Sequence, residues 1–371
     1  MQRFRIVPDI YEYEDFASFA AAFSLGKKDL LVTQKFIYDP FIRDLHLSCP
    51  VVFQEEYGQG EPTDEMVDRI AQAVRTVAYE RVVAVGGGTV IDISKLLAQK
   101  RFDSVAELFD DPAKIVRDKD LLIVPTTCGT GSEVTRSSII HSVQRETKVR
   151  MAYDPFFATA AILIPQLLTT LPYAPFMFSA IDALVHAVES YLSPNASSYT
   201  ELFSLQAVRM LLHAFQHVVQ KGPESRLEIL SAFQKASNYA GIAFGNAGCG
   251  AVHALSFPLS GRYHVTHGES NYQFFCQVLR VYERKQPTGK MEALCRCIAQ
   301  QLDCDKSVAI ERMEALLERI WHRKAEREFG MTEQDIPAFA QEVDQTLQPV
   351  LATSYVPLSV EELEQIYCVL Y

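Results

Sequence analysis

The stretch Arg81-Val-Val-Ala-Val-Gly-Gly-Gly-Thr-Val-Ile-Asp-Ile-Ser-Lys95 decides how the first half of the chain folds. Residues 81 to 85 form a short β-branched run, as a strand buried inside a sheet requires. Gly86-Gly87-Gly88-Thr89 then opens a helical pattern with Asp92 and Lys95 on its first turns. Glycines let a pyrophosphate approach the backbone, and a helix N-terminus adds N–H donors and the positive end of a dipole. The spacing GxGxxG is absent, which excludes a Rossmann fingerprint. Taken alone, the turn is equally a tight strand-to-helix connection in which Asp92 merely favours the helix dipole. A second loop after the next strand, Pro125-Thr-Thr-Cys-Gly-Thr-Gly-Ser-Glu-Val-Thr135, adds hydroxyls and glycines suited to a polar ligand lying across strand ends.

Outward from this unit, residues 29–33, 121–124 and 161–164 also read as buried strands, and residues 63–78 and 90–99 carry helical spacing. The first half, residues 1–164, is therefore expected to be an α/β dinucleotide-binding domain with a mainly parallel sheet. After Pro165 the β-branched runs give way to helical patterns over residues 201–219, 226–244, 291–302 and 360–369. Residues 165–371 are expected to form an all-helical domain that carries the metal and the substrate. A chain of 371 residues suits two domains better than one core.

Four residues of the helical half supply one carboxylate and three imidazoles, a set that binds a borderline divalent ion and leaves room for a substrate oxygen. Asp182 and His186 are four apart and leave the same face of a helix. His253 lies in an apolar helical stretch that Pro258 is expected to stop, and His267 follows in a Thr-His-Gly turn.

The net charge of −11 argues against a nucleic-acid surface. Eight cysteines without a CxxC pair read as reduced cytosolic thiols. Residues 1–9 lack the apolar core of a signal peptide, and the longest apolar run, around residues 156–165, is far short of the roughly 20 residues needed to span a bilayer. A soluble cytoplasmic protein with a small-molecule ligand, and no nucleic-acid or membrane partner, is expected. Cys128 and Cys249 have no evident activating base and read as inert thiols.

Together these segments resemble the iron-containing, group III alcohol dehydrogenases. The likeness rests on Gly86 to Lys95, Pro125 to Thr135, Asp182-Ala-Leu-Val-His186-Ala, and His253 with His267-Gly268, and it spans essentially the whole chain. It implies a dehydroquinate-synthase-like fold and a metal-dependent NAD(H) oxidoreductase, with Fe²⁺ or Zn²⁺ held by Asp182, His186, His253 and His267. Gly87, Gly88, Thr89, Asp92, Thr126, Thr127, Thr130, Thr135 and Lys148 match its cofactor positions, although Lys148 also reads as a surface lysine between Arg145 and Arg150. The length and the phrases Tyr57-Gly-Gln-Gly-Glu-Pro62, Asn238 to Gly248 and Asn271-Tyr-Gln-Phe-Phe275 resemble members that interconvert 4-hydroxybutyrate and succinate semialdehyde. Lactaldehyde, glycerol and butanol dehydrogenases are the enzymatic alternatives, and a nucleotide-binding protein without turnover is another. A homo-oligomer, a dimer by resemblance, is implied.

Two departures bear on mechanism. Many relatives read His-Pro-Leu-Gly where this chain has Phe257-Pro258-Leu259-Ser260, and phenylalanine cannot pass on a proton. His264, three residues before a ligand, is the first candidate for a side-chain relay; a second-position or surface histidine and a water chain are the alternatives. After the strand at 29–33, Gln34 replaces the Asp that many NAD-using relatives carry, which leaves NADP open beside NAD. A terminal carboxylate on the substrate needs a cationic partner, for which Arg262 and Arg136 are the candidates.

Overall fold

The computed structural model describes residues 4–371. Residues 1–3, the start of the segment read for a leader, lie outside the described residues. The chain folds as two compact units, Ile6–Leu171 and Pro172–Tyr371. Arg5 joins the second through a two-way bond with Asn246, at 2.8 and 2.9 Å.

The first unit is built on a six-stranded sheet in the order β1-β8-β5-β4-β2-β3. Its strands are β1 (Asp9–Glu12), β2 (Asp29–Thr33), β3 (Val51–Phe53), β4 (Arg81–Gly86), β5 (Asp120–Pro125) and β8 (Ala160–Leu163). Every pairing in it is parallel. In β4, Val82 and Ala84 join the core on one face while Val83 and Val85 join the core on the other. Burial on both faces is why the run carries no alternating polar residues. An antiparallel hairpin, β6 (Ser137–Ser142) with β7 (Thr147–Ala152), was not legible in the sequence. Its strands mix Ser, Thr, Lys and Arg with Ile and Val, so its one buried face gives a weak pattern.

The second unit is helical. From Phe176 to Leu192 every residue of the Tyr173–Leu192 helix except Ser179 is buried, so neighbours enclose it on nearly all sides. Among those neighbours are the Ser198–Lys221 and Leu230–Ala247 helices and the His267–Lys285 helix. Two expectations are corrected here. Pro258 does not stop its helix, which runs from Ala251 to Tyr263 with the proline inside. Proline removes the N–H that would bond the Ala254 carbonyl, while the next two carbonyls accept side-chain hydroxyls: Tyr367 Oη donates to Leu255 O at 2.6 Å and Ser270 Oγ to Ser256 O at 2.8 Å. Burial of Leu255, Pro258 and Leu259 adds packing that offsets the remaining cost. His267 is likewise not in a turn, because Thr266 is the N-cap and His267 the first residue of the next helix.

Candidate metal centre and cofactor loops

On the buried Tyr173–Leu192 helix, Asp182, His186 and Glu189 fall at i, i+4 and i+7 and therefore share one face. His253 comes from the Ala251–Tyr263 helix and His267 from the start of the His267–Lys285 helix. One ligand atom from each of Asp182, His186, His253 and His267 lies within 4.8 Å of all the others. His253 Nε2 is 3.0 Å from His186 Nε2, and His267 Nε2 is 3.6 Å from Asp182 Oδ1. Two imidazole nitrogens at 3.0 Å and a nearby carboxylate concentrate lone pairs that a cation would neutralise. Burial pushes His186 down to about 4 against the pull of Asp182, so its ring is neutral and its lone pair available near pH 7. Burial also pushes Asp182 up, but the three imidazoles and the Asn271 amide outweigh it and hold the carboxyl below its usual value. This donor set fits a divalent metal ion.

Two residues of the cluster escaped the sequence reading. Glu189 Oε2 lies 2.5 Å from His253 Nδ1, and its Oε1 accepts the Val252 N–H at 2.7 Å. Asn271 Nδ2 donates to Asp182 Oδ1 at 2.8 Å and lies 3.2 Å from the Nε2 atoms of both His253 and His267. Their signal was spacing: Glu189 stands three residues after His186, and Asn271 four after His267. Close packing sets the cluster. A Cβ on Gly268 would sit 2.4 Å from Phe178 O, so only glycine lets the helices that carry Asp182 and His267 approach this closely. Phe244 stacks on His186 at 4.1 Å and Phe257 lies 6.5 Å from the His267 ring, centroid to centroid. His264 is exposed and caps its helix in the left-handed conformation (φ 54°), a backbone role independent of its imidazole.

Most of the residues expected on the cofactor side lie after the carboxyl ends of β4 and β5. Gly87 is the N-cap of the Gly88–Leu97 helix and gives no side-chain cap, which leaves the N–H groups of the first turn without one. A Cβ at Gly87 would meet Thr127 Cγ2 at 3.1 Å, and one at Gly88 would meet Thr130 Cγ2 at 3.4 Å, so the two loops lie against each other through glycine. Thr126 is buried, and the Thr127 hydroxyl is buried with no hydrogen-bond partner. Glycine backbone, helix N-terminus and an unsatisfied hydroxyl together suit a phosphate-bearing ligand. Thr89 Oγ1 donates to Gly60 O at 3.1 Å, and Lys148 pairs with the adjacent Glu61 at 2.8 Å, which brings the hairpin lysine to the same place. Gln34, at the end of β2, donates to Gln54 Oε1 at 3.0 Å.

Asp92 and Thr135 are taken up in holding the second loop. Asp92 accepts from Ser132 Oγ and from the Ile139 N–H, each at 3.0 Å. The fully buried Lys95 ammonium donates to Ser137 O at 2.6 Å, Ser132 Oγ at 2.7 Å and Thr135 Oγ1 at 3.3 Å. Burial lowers Lys95 to about 8, opposed by Asp92 and Glu133. The candidate arginines are both engaged: Arg262 Nη1 donates to Asp335 at 2.6 Å beneath the Phe339 ring, and Arg136 pairs with Asp154 at 3.0 Å.

Residues 10–165 match the iron-containing alcohol dehydrogenases, and residues 176–371 match the C-terminal part of the Fe-containing alcohol dehydrogenase family. The chain belongs to this family. It is 44% identical over 371 residues, 100% of both chains, to the 4-hydroxybutyrate dehydrogenase of Clostridium kluyveri. Long-chain-alcohol dehydrogenase 1 of Geobacillus thermodenitrificans is 31% identical over 92% of this chain and 89% of its own. Two solved structures share the fold at low identity. Sulfoacetaldehyde reductase from Bifidobacterium kashiwanohense, in complex with NAD+, superposes with a TM-score of 0.87 at 23% identity over 100% of this chain and 98% of that one. Alcohol dehydrogenase from Oenococcus oeni gives 0.87 at 20% identity over 100% of both. The family assignment and the all-parallel sheet followed by helices bear out the expected fold. All eight cysteines are free, and among the described residues no helix is long and apolar enough to cross a membrane.

Proposed function

We propose that this protein is an NAD(H)-dependent, metal-dependent alcohol dehydrogenase that interconverts 4-hydroxybutyrate and succinate semialdehyde. The observation that carries the substrate is full-length 44% identity to an enzyme of that name. Asp182, His186, His253 and His267 would hold Fe²⁺ or Zn²⁺, and a bound ion supplies Lewis acidity toward a carbonyl oxygen. Gly87, Gly88, Thr89, Thr126, Thr127 and Thr130 would bind the dinucleotide, which supplies or takes up hydride, while Asp92 and Thr135 hold the loop that receives it. The protein's main contribution is orientation, which can remove roughly 7–11 kcal/mol of barrier when reacting atoms are well aligned.

The side chains argue for a proton route through water. Among the four ligands His267 is the most exposed, at 34%, and the Phe257 ring beside it has no exchangeable proton. Solvent on the His267 side then accepts or returns the alcohol proton, with the exposed His264 as the nearest side-chain alternative in sequence. For the substrate carboxylate we favour Arg262 over Arg136. It lies on the His253 helix, and the Asp335 bond and Phe339 ring fix its guanidinium while leaving other N–H donors. The free thiols suit a reducing cytoplasm, and a homodimer is proposed from family resemblance.

Chelator-stripped protein reloaded with Fe²⁺ or Zn²⁺ tests this reading. NADH should reduce succinate semialdehyde to 4-hydroxybutyrate only after reloading, and equal turnover by stripped protein would refute the metal requirement.

A further inference from the structure

Glu189 occupies a position that the ligand set does not explain. It is buried to 3% exposure on the same helix face as Asp182 and His186, yet it points at the far side of the cluster. One carboxylate oxygen takes His253 Nδ1 at 2.5 Å, and the other takes the N–H of Val252, at the opening of the helix that carries His253. Room for this carboxylate is built in, because a Cβ on Gly250 would stand 3.3 Å from Glu189 Oε1 and 3.1 Å from Ser354 Cα. A single side chain therefore fixes both the start of the Ala251–Tyr263 helix and the rotation of its imidazole.

We propose that Glu189 is a positioning residue that selects which nitrogen of His253 is the metal ligand; this rests on the metal reading above. A carboxylate accepts from Nδ1 only when Nδ1 carries the proton, and in a neutral imidazole that leaves Nε2 as the lone pair. Nε2 is the atom 3.0 Å from His186 Nε2, inside the four-residue cluster. The choice matters because the other face of the same ring offers a competing trio. Glu189, Cys249 and His253 also bring ligand atoms within 4.8 Å of one another. A thiophilic ion on that face would use Nδ1, and the ring proton would then have to sit on Nε2. The two metal positions exclude each other, and the Glu189 bond decides between them.

Metal binding to the purified full-length chain tests this directly. Apo protein is titrated with Zn²⁺ and with Co²⁺ against a competing chelator, for the native chain, Glu189→Gln and Glu189→Ala. Glutamine can accept only one of the two hydrogen bonds, so Glu189→Gln should weaken binding about 10–100-fold and Glu189→Ala at least as much. Nitrogen-15 NMR of the histidines, with His253 assigned by His253→Gln, should show an Nδ1–H tautomer in the native apo protein and lose it in both variants. A merely structural role would lower apo thermal stability without changing that tautomer. The native protein should bind one Zn²⁺, and Cys249→Ser should leave its affinity unchanged. Unchanged affinity and tautomer in Glu189→Gln, or tight Zn²⁺ binding lost in Cys249→Ser, would overturn the proposal. Absence of any binding by the native chain would instead remove the metal reading on which it rests.

Discussion

Replacing Gly268 by alanine should cost metal affinity far more than it costs stability. The added Cβ would lie 2.4 Å from Phe178 O and 2.8 Å from Phe178 C, both backbone atoms that no rotamer change can move. Ordinary contact begins near 3.4 Å, so the His267–Lys285 helix must retreat by about 1 Å (3.4 − 2.4) from the helix that carries Asp182. His267 is the residue before the substituted one, and its Nε2 now stands 3.6 Å from Asp182 Oδ1. Metal–ligand distances tolerate only about 0.2 Å, so a 1 Å displacement effectively removes one ligand. Overpacking typically costs about 1–3 kcal/mol, partly offset by up to about 1 kcal/mol of helix propensity gained over glycine. Apo thermal stability should therefore fall by a few degrees, while chelator competition should show an affinity loss of about 100-fold or more. Gly261→Ala is the control, because its Cβ would meet nothing within 4 Å. Native affinity and stability in Gly268→Ala would show that this helix contact does not set the ligand geometry.

Other expectations follow from single residues. His267→Ala should lose metal and turnover yet keep its circular dichroism spectrum, since the removed ring is one-third exposed and not part of the core; full metal content would refute its assignment. Gln34→Asp should raise the preference for NADH over NADPH in equilibrium binding, because a carboxylate repels a 2′-phosphate, and an unchanged ratio of Kd values would show that this position does not read the ribose. Glu326 is fully buried with both oxygens unpartnered; burial pushes it up to about 9 despite Arg323. Below its unfolded value near 4.5 both states are protonated, but above it the unfolded chain releases a proton that the folded chain keeps, so this group's contribution falls as pH rises toward 9. Glu326→Gln should flatten that decline and stabilise the protein at pH 8 by on the order of a few kcal/mol, with equal denaturation midpoints at pH 8 as the contrary result.

The parallel sheet was legible because its strands are buried on both faces and therefore nearly pure in β-branched residues, as at Val82 to Val85. The four-residue cluster was legible because carboxylate and imidazole at helical spacing have few other uses. What the sequence concealed depends on contacts between distant segments. Pro258 sits inside a helix, beside carbonyls that accept hydroxyls of Tyr367 and Ser270 from elsewhere in the chain. The sequence offers Arg262 as a carboxylate partner and gives no sign of its bond to Asp335, far along the chain. Asp92 matches a cofactor position, and the sequence gives no sign that its carboxylate also holds Ser132 and Ile139. Lys95 is the deepest example: its place in the helical pattern gives no sign that it is wholly buried as the anchor of the threonine loop.

Competition between a charged and an uncharged aldehyde tests the central claim most directly. With metal-loaded protein and NADH, kcat/KM for succinate semialdehyde should exceed that for butanal by tenfold or more, because a site arranged for an anion leaves its donors unpaired around the neutral analogue. Arg262→Ala should erode that preference while sparing butanal. Equal efficiency for the two aldehydes in the native enzyme would contradict the 4-hydroxybutyrate reading and leave only a metal-dependent alcohol dehydrogenase of other specificity.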